Sequence, residues 1–281
     1  MTTRIFLRPR AALLVAGLAL SGCGTTYALP ETSGEADATA AKLFADARAE
    51  PARTKTTVSA AEARFARVAG RVGPTARKLC EAELDADKAK DCAVRIEIDR
   101  KMAERNAYFT YVDQKPTIRF SVPLLQDTQN DDEVAFVMGH EYGHLIGQHI
   151  QKQQQQAVTG ALIMGVLTAA ASANAASSGG YYNHNAVSQN MELGAAVGGR
   201  AYSQTYELES DMLGARIAAS AGYDPVKGAK FFARDEAARS QTGKLSFWGT
   251  HPADKDRLAV VVATKNQIDA KQALTRKSPA N

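Results

Sequence analysis

The chain is short of the residues from which sites are usually built. Its 281 residues include three cysteines, five histidines and one tryptophan. So few cysteines exclude a disulfide-dense scaffold and a four-thiolate zinc site. The histidines, at positions 140, 144, 149, 184 and 251, leave few ways to assemble an imidazole-based centre. A strong excess of one charge is also missing, since 34 basic and 30 acidic residues give a formal charge of +4. No internal repeat is visible, which excludes a solenoid or propeller. What is present, 45% apolar and 23% charged residues, suits an ordinary globular protein.

The N-terminus departs from that average. Arg4, Arg8 and Arg10 precede an uncharged stretch at 11–20, followed by Leu20-Ser21-Gly22-Cys23. A basic start, a short apolar middle and small residues before a cut describe a secretory signal. The apolar stretch is too short to span a bilayer comfortably. Leu-Ser-Gly-Cys resembles a bacterial lipobox, so residues 1–22 are expected to be a lipoprotein signal peptide and Cys23 the lipidated first residue. Gly24 is not the aspartate that commonly retains lipoproteins in the inner membrane. The expected location is therefore the outer membrane, facing the periplasm. Loss of residues 1–22 removes three arginines and leaves a charge of about +1. The basic pI is then no argument for nucleic acid, and no such partner is expected. In an oxidising compartment the remaining pair, Cys80 and Cys92, is expected to form a disulfide. A two-thiol metal site is the weaker reading, because no histidine lies close by.

Residues 23–54, rich in Gly, Thr, Ser, Ala and acids, read as a flexible tether with a short helix over 38–47. Apolar spacing predicts a long helix over 58–79, broken near Gly73-Pro74. The period then changes to alternation at 94–98 and 117–122, with an aromatic and β-branched stretch at 107–112, which predicts three short strands, the last two joined by a turn around 113–116. They are expected to form a small antiparallel sheet. Polar capping groups at 127–130 and acids at 131–133 start a helix expected to run to about 149. Residues 157–176 are uncharged but only weakly apolar, which favours a helix packed on the preceding one over a transmembrane span, with membrane contact as the minority reading. A loop at 179–194 and helices over 196–221, 225–239 and 252–274 follow. The expected fold is α+β, mainly α, with one domain over 55–275 and a frayed tail at 276–281.

The motif His140-Glu141-Tyr142-Gly143-His144 sits in the helix predicted from 131. Residues four apart share a helix face, so His140 and His144 can aim at one point with Glu141 beside them. Two ligands and a base on one turn form the zinc-hydrolase arrangement. A third ligand is required. His149 lies on the opposite side of a continuing helix, and His184 sits in a polar loop. The pattern H-E-x-x-H-x-x-G-x-x-H is met at Gly147 and fails at Ile150. Glu207, in Tyr206-Glu207-Leu208-Glu209-Ser210-Asp211, completes a two-histidine, one-carboxylate set. Asp211 is placed one turn later to accept the Nδ1–H of a ligand histidine. Glu209 points about 200° away and is expected to be solvated.

With these residues in order, the chain resembles the M48 (HtpX-like) gluzincin metallopeptidases over residues 105–257. The resemblance rests on Asn106-Ala107, the H-E-x-x-H helix, Tyr202-Ser203 leading to Glu207-x-x-x-Asp211, Ala221-Gly222-Tyr223-Asp224-Pro225, and Thr250-His251-Pro252 with Arg257. Ser210 and Gln204 stand where the family often has alanine and arginine. The resemblance implies a gluzincin-type domain with one Zn2+ per chain on His140, His144 and Glu207. It also implies Glu141 as the base in hydrolysis of polypeptide substrates, expected to be misfolded or misassembled envelope proteins. His251 is expected either to donate to the developing oxyanion or to block the metal at rest. Arg257 is expected to make a structural ion pair. The segment Asn106–Tyr111, with Asn106 and Ala107 as its substrate-binding residues, or the strand at 118–122, is expected to present an edge to the substrate. The rival expectations are a lipoprotein of the same fold acting as a chaperone or assembly factor, and a zinc amidase of the cell wall.

Overall fold

The computed structural model describes residues 24–177, 204–241 and 243–277. The signal segment, Cys23, His184 and Tyr202-Ser203 lie outside them. Two compact units are distinguished: one comprises Tyr27–Gly147 and Gln204–Arg276, the other Met1–Thr26, Gln148–Ser203 and Lys277–Asn281.

In the first unit, helix α1 (Glu35–Arg48) buries Ala36, Ala40 and Ala47 and packs on a later helix through Ala36, Leu43, Val262 and Ala263. Tyr27 is fully buried; its backbone N–H donates to Glu209 Oε1 at 2.6 Å, and it forms a β-bridge with Arg276. The described part of residues 23–54 is therefore fixed structure rather than a flexible tether. Arg276, expected to be frayed, is paired.

Helix α2 (Val58–Glu83) starts where the Thr57 side chain accepts from the Ala60 N–H. It continues through Pro74 without the expected break. One face, Ala61, Phe65, Val68, Val72, Ala76 and Cys80, is buried on both sides of the proline. Packing of that face outweighs a proline cost of about 3 kcal/mol. Thr75 Oγ1 also donates to the Arg71 carbonyl at 2.9 Å. A disulfide joins Cys80 to Cys92, as expected.

The strands are β1 (Arg95–Asp99), β2 (Ala107–Val112) and β3 (Lys115–Ser121), in the order β1-β3-β2. The β2–β3 hairpin turns at Asp113 and Gln114, both at positive φ, as a two-residue hairpin turn requires. The sheet is mixed rather than antiparallel, because β1 pairs in parallel with β3. Strand β3 is the most buried and takes the centre. With β2 antiparallel on one edge, a β1 that runs opposite to β2 can only be parallel to β3. Ser121 then caps α3 (Val122–Asp127).

Helix α4 (Asp131–Ile146) begins with a reciprocal cap: Asn130 Oδ1 accepts from the Glu133 N–H at 3.0 Å, and Glu133 accepts from the Gln129 N–H at 2.8 Å. Every residue from Glu133 to Ile146 is buried. The helix stops short of position 149. Helix α6 (Gln204–Ser220) forms the most extensive helix contact with α4. A Cβ on Gly143 would lie 2.8 Å from the Ser210 backbone, and one on Gly214 2.7 Å from the His140 nitrogen. Hydrogen-only side chains thus bring the two helices to backbone contact. Helix α7 (Pro225–Ala229) runs into a 3₁₀ turn (Lys230–Ala233). The expected helix to 239 ends there, where Arg234 turns extended and pairs with Asp127 and Glu236. Short helix α8 (Phe247–Thr250) and α9 (Lys255–Asp269) complete this unit.

In the second unit, helix α5 (His149–Ser177) follows Gln148, which has positive φ. It is not buried as a core helix would be: Val158, Leu162, Val166 and Leu167 are all exposed. By length and composition it could cross a membrane.

Candidate metal centre

The α4–α6 crossing assembles the centre. His140 and His144 are fully buried on α4, and Glu207 faces them from α6. The ring nitrogens His140 Nε2 and His144 Nε2 are 3.0 Å apart, and His140 Nε2 is 3.2 Å from His251 Nδ1. Glu207 lies 3.5 Å from each of His140 and His144, and 2.9 Å from His251 Nδ1. One donor atom from each of these four residues falls within 4.8 Å of the others. Sequence reasoning brought three of them together as ligands; the fourth, His251, arrives from the turn after α8.

Glu207 Oε1 and Glu141 Oε1 are both buried without a hydrogen-bond partner. Such atoms are costly to bury unless a cation or a reacting group completes them. Two imidazoles and a carboxylate with lone pairs converging on one point are a donor set that zinc accepts. The residues fit.

Behind the donors, Asp211 Oδ1 lies 2.8 Å from His140 Nδ1. Arg257 clamps that carboxylate with two bonds of 2.7 Å and stacks over Phe232 at 4.3 Å. Burial alone would favour a neutral His140, yet Asp211 and Glu207 outweigh it and lift its pKa to about 9. Burial likewise opposes the charge on Glu207, but His251, Arg257 and the His140 bond hold its carboxyl well below the usual range. Asp211 is lowered too: burial opposes its charge, and Arg257 prevails. Glu141 goes the other way, its pKa raised by burial despite His251 and His140. Glu141 accepts from the Phe109 N–H and lies 3.5 Å from His251 Nε2.

The remaining expectations fare unevenly. Asn106 and Ala107 are buried. Asn106 exchanges backbone and side-chain bonds with Ser121 and accepts from Thr250 Oγ1 at 3.3 Å, next to His251. Its side chain thus braces the His251 turn. Glu209 is buried and bonded to Tyr27, not solvated. Phe109 lies in the expected edge segment, but its backbone bond to Glu141 was not foreseen. Phe232 was missed, since nothing local ties it to Arg257.

A family model, Peptidase family M48, matches residues 63–265. The chain belongs to peptidase family M48. The matched span contains both zinc-site helices, His251 and Arg257. Over 134 residues the chain is 31% identical to Metalloprotease LoiP of Escherichia coli, covering 47% of this chain and 49% of LoiP. Over 136 residues it is 29% identical to Mitochondrial metalloendopeptidase OMA1 of Schizosaccharomyces pombe, covering 48% of this chain and 37% of OMA1. The chain thus spans less than half the length of these curated relatives. As a member of M48 it carries a zinc centre on buried residues.

Proposed function

We propose that this M48 protein is a zinc-dependent endopeptidase of the bacterial envelope. It is lipid-anchored through Cys23 at the periplasmic face of the outer membrane and acts on misfolded or misassembled proteins. The peptidase reading is carried by one observation: Glu141, with a buried oxygen lacking a partner, stands on the same helical turn as two of the four converging donors. The names of the two relatives, a metalloprotease and a metalloendopeptidase, support it. The anchor rests on Leu20-Ser21-Gly22-Cys23, and the substrates on the compartment that anchor implies.

Zinc on His140, His144 and Glu207 would polarise the scissile carbonyl and lower the pKa of the attacking water. The chain supplies the rest. Glu141 Oε1 takes a proton from that water and delivers it to the leaving amide nitrogen. Asp211 keeps the proton of His140 on Nδ1, which leaves Nε2 free to face the donor cluster, and Arg257 fixes Asp211. Strand β2 lies at the edge of the sheet, and its Phe109 N–H is occupied by Glu141. An extended peptide added along β2 would take up such edge groups.

For His251, the geometry favours a resting block: its Nδ1 lies within the donor cluster, 2.9 Å from Glu207. His251→Ala then raises peptide hydrolysis. A role as oxyanion donor predicts the reverse, a fall in kcat with KM little changed. The decisive experiment pairs zinc content with casein hydrolysis in the mature chain and in Glu141→Gln. The variant should keep one zinc and lose about 10²–10⁴-fold in rate. Near-parental activity in that variant would eliminate the mechanism.

A further inference from the structure

Helix α5 carries an apolar surface that this chemistry leaves unused. Residues 153–177 carry no charge. Val158, Leu162 and Val166 recur at four-residue spacing and are exposed, with Leu167 exposed beside them. Side chains so spaced share a helix face, and a stripe of this kind ordinarily meets a core or a partner. Its N-terminal end is basic. Lys152 Nζ donates to Thr26 Oγ1 at 2.8 Å, and Lys277 Nζ donates to Thr25 Oγ1 at 2.5 Å. The Lys277 N–H also donates to the Thr26 carbonyl at 2.9 Å. Thr25 is two residues from Cys23, so two ammonium groups gather where the chain outside the described residues begins.

We propose that α5 lies in the bilayer surface beside the lipid on Cys23. The Val158, Leu162, Val166 and Leu167 side chains sit among acyl chains, and Lys152 and Lys277 face anionic headgroups. The position of the anchor rests on the lipoprotein reading above. By length and composition alone α5 could also cross the bilayer. Weakly apolar composition with alanine, serine, threonine and asparagine suits an interface better than a hydrocarbon interior. Lipid is favoured over a second copy by the paired lysines at the anchored end, which complement phosphate headgroups.

The test uses the mature chain from residue 24, made without lipid, in flotation with vesicles of phosphatidylethanolamine and phosphatidylglycerol. The chain should float, and added salt should weaken the association. Replacing Val158, Leu162, Val166 and Leu167 together by serine should lower vesicle partitioning at least about tenfold. Thermal melting and casein hydrolysis should be unchanged. Failure of the parent to float, or equal flotation of the variant, overturns the proposal. Loss of a dimer in the variant without vesicle binding by the parent assigns the stripe to a second copy instead. Palmitate labelling of the full-length chain tests Cys23 separately, and its failure would leave the flotation result standing.

Discussion

Two consecutive helices, α4 and α5, are both apolar along most of their length and meet opposite fates. Helix α4 is buried from Glu133 to Ile146, while α5 keeps four large apolar side chains exposed. Composition does not separate them; partners do. Helix α4 meets α6 at backbone contact through Gly143 and Gly214, and its acidic start is held by Arg53 and Arg67. The exposed stripe of α5 has no such counterpart among the described residues of its own unit. Burial along a helix is therefore set by whether a second surface can approach, and on α4 that approach also builds the metal centre.

The sharpest way to break the contrast is to block the approach. Gly143→Val places side-chain carbons on the Ser210 backbone and should destabilise by about 3 kcal/mol or more. A fall in melting temperature together with loss of zinc would register it; a variant melting like the parent would refute backbone contact. Opening the disulfide comes next. Cys80→Ser with Cys92→Ser frees a short loop and should cost about 2–4 kcal/mol, read by denaturant unfolding. Asp211→Asn leaves the helices packed but loosens the hold on His140. Zinc affinity, measured against a chelator, should fall about 10–100-fold.

A pH series sharpens the same point. The His140 pKa is raised to about 9 in the metal-free chain. The stabilisation from its proton is complete below the ordinary value near 6.5 and is lost as pH rises through 9. Zinc must displace that proton, so chelator competition should show affinity still rising between pH 7 and 9. A plateau from pH 7 upward would mean that His140 is already neutral there. The smallest effect belongs to α5, where Val166→Ser should change stability by no more than about 0.5 kcal/mol. A large loss there would mean that the helix is buried after all.

What could be read from the sequence was what is local. His140, Glu141 and His144 share a turn, Asn130 caps three residues ahead, and Cys80 and Cys92 are twelve apart. Glu207 and Asp211 could be chosen because helical spacing puts both on one face. Features decided by distant partners were illegible. Pro74 stays helical because residues on either side of it are buried, and β1 turns parallel because β3 takes the centre. Glu209 is buried because Tyr27, far away in sequence, donates to it. His251 was named for the site through the family resemblance, while its contact with Glu207 depends on the turn after Thr250.

The bond between Tyr27 and Glu209 has a mechanical meaning. Glu209 stands two residues from Glu207 on the same helix, and Tyr27 stands four residues from Cys23. A fully extended stretch of four residues reaches about 14 Å. If Cys23 carries the lipid proposed above, the helix that supplies the carboxylate donor would be leashed to the bilayer through that short stretch. Under that proposal, polypeptides close to the membrane surface would be the ones the metal centre meets first.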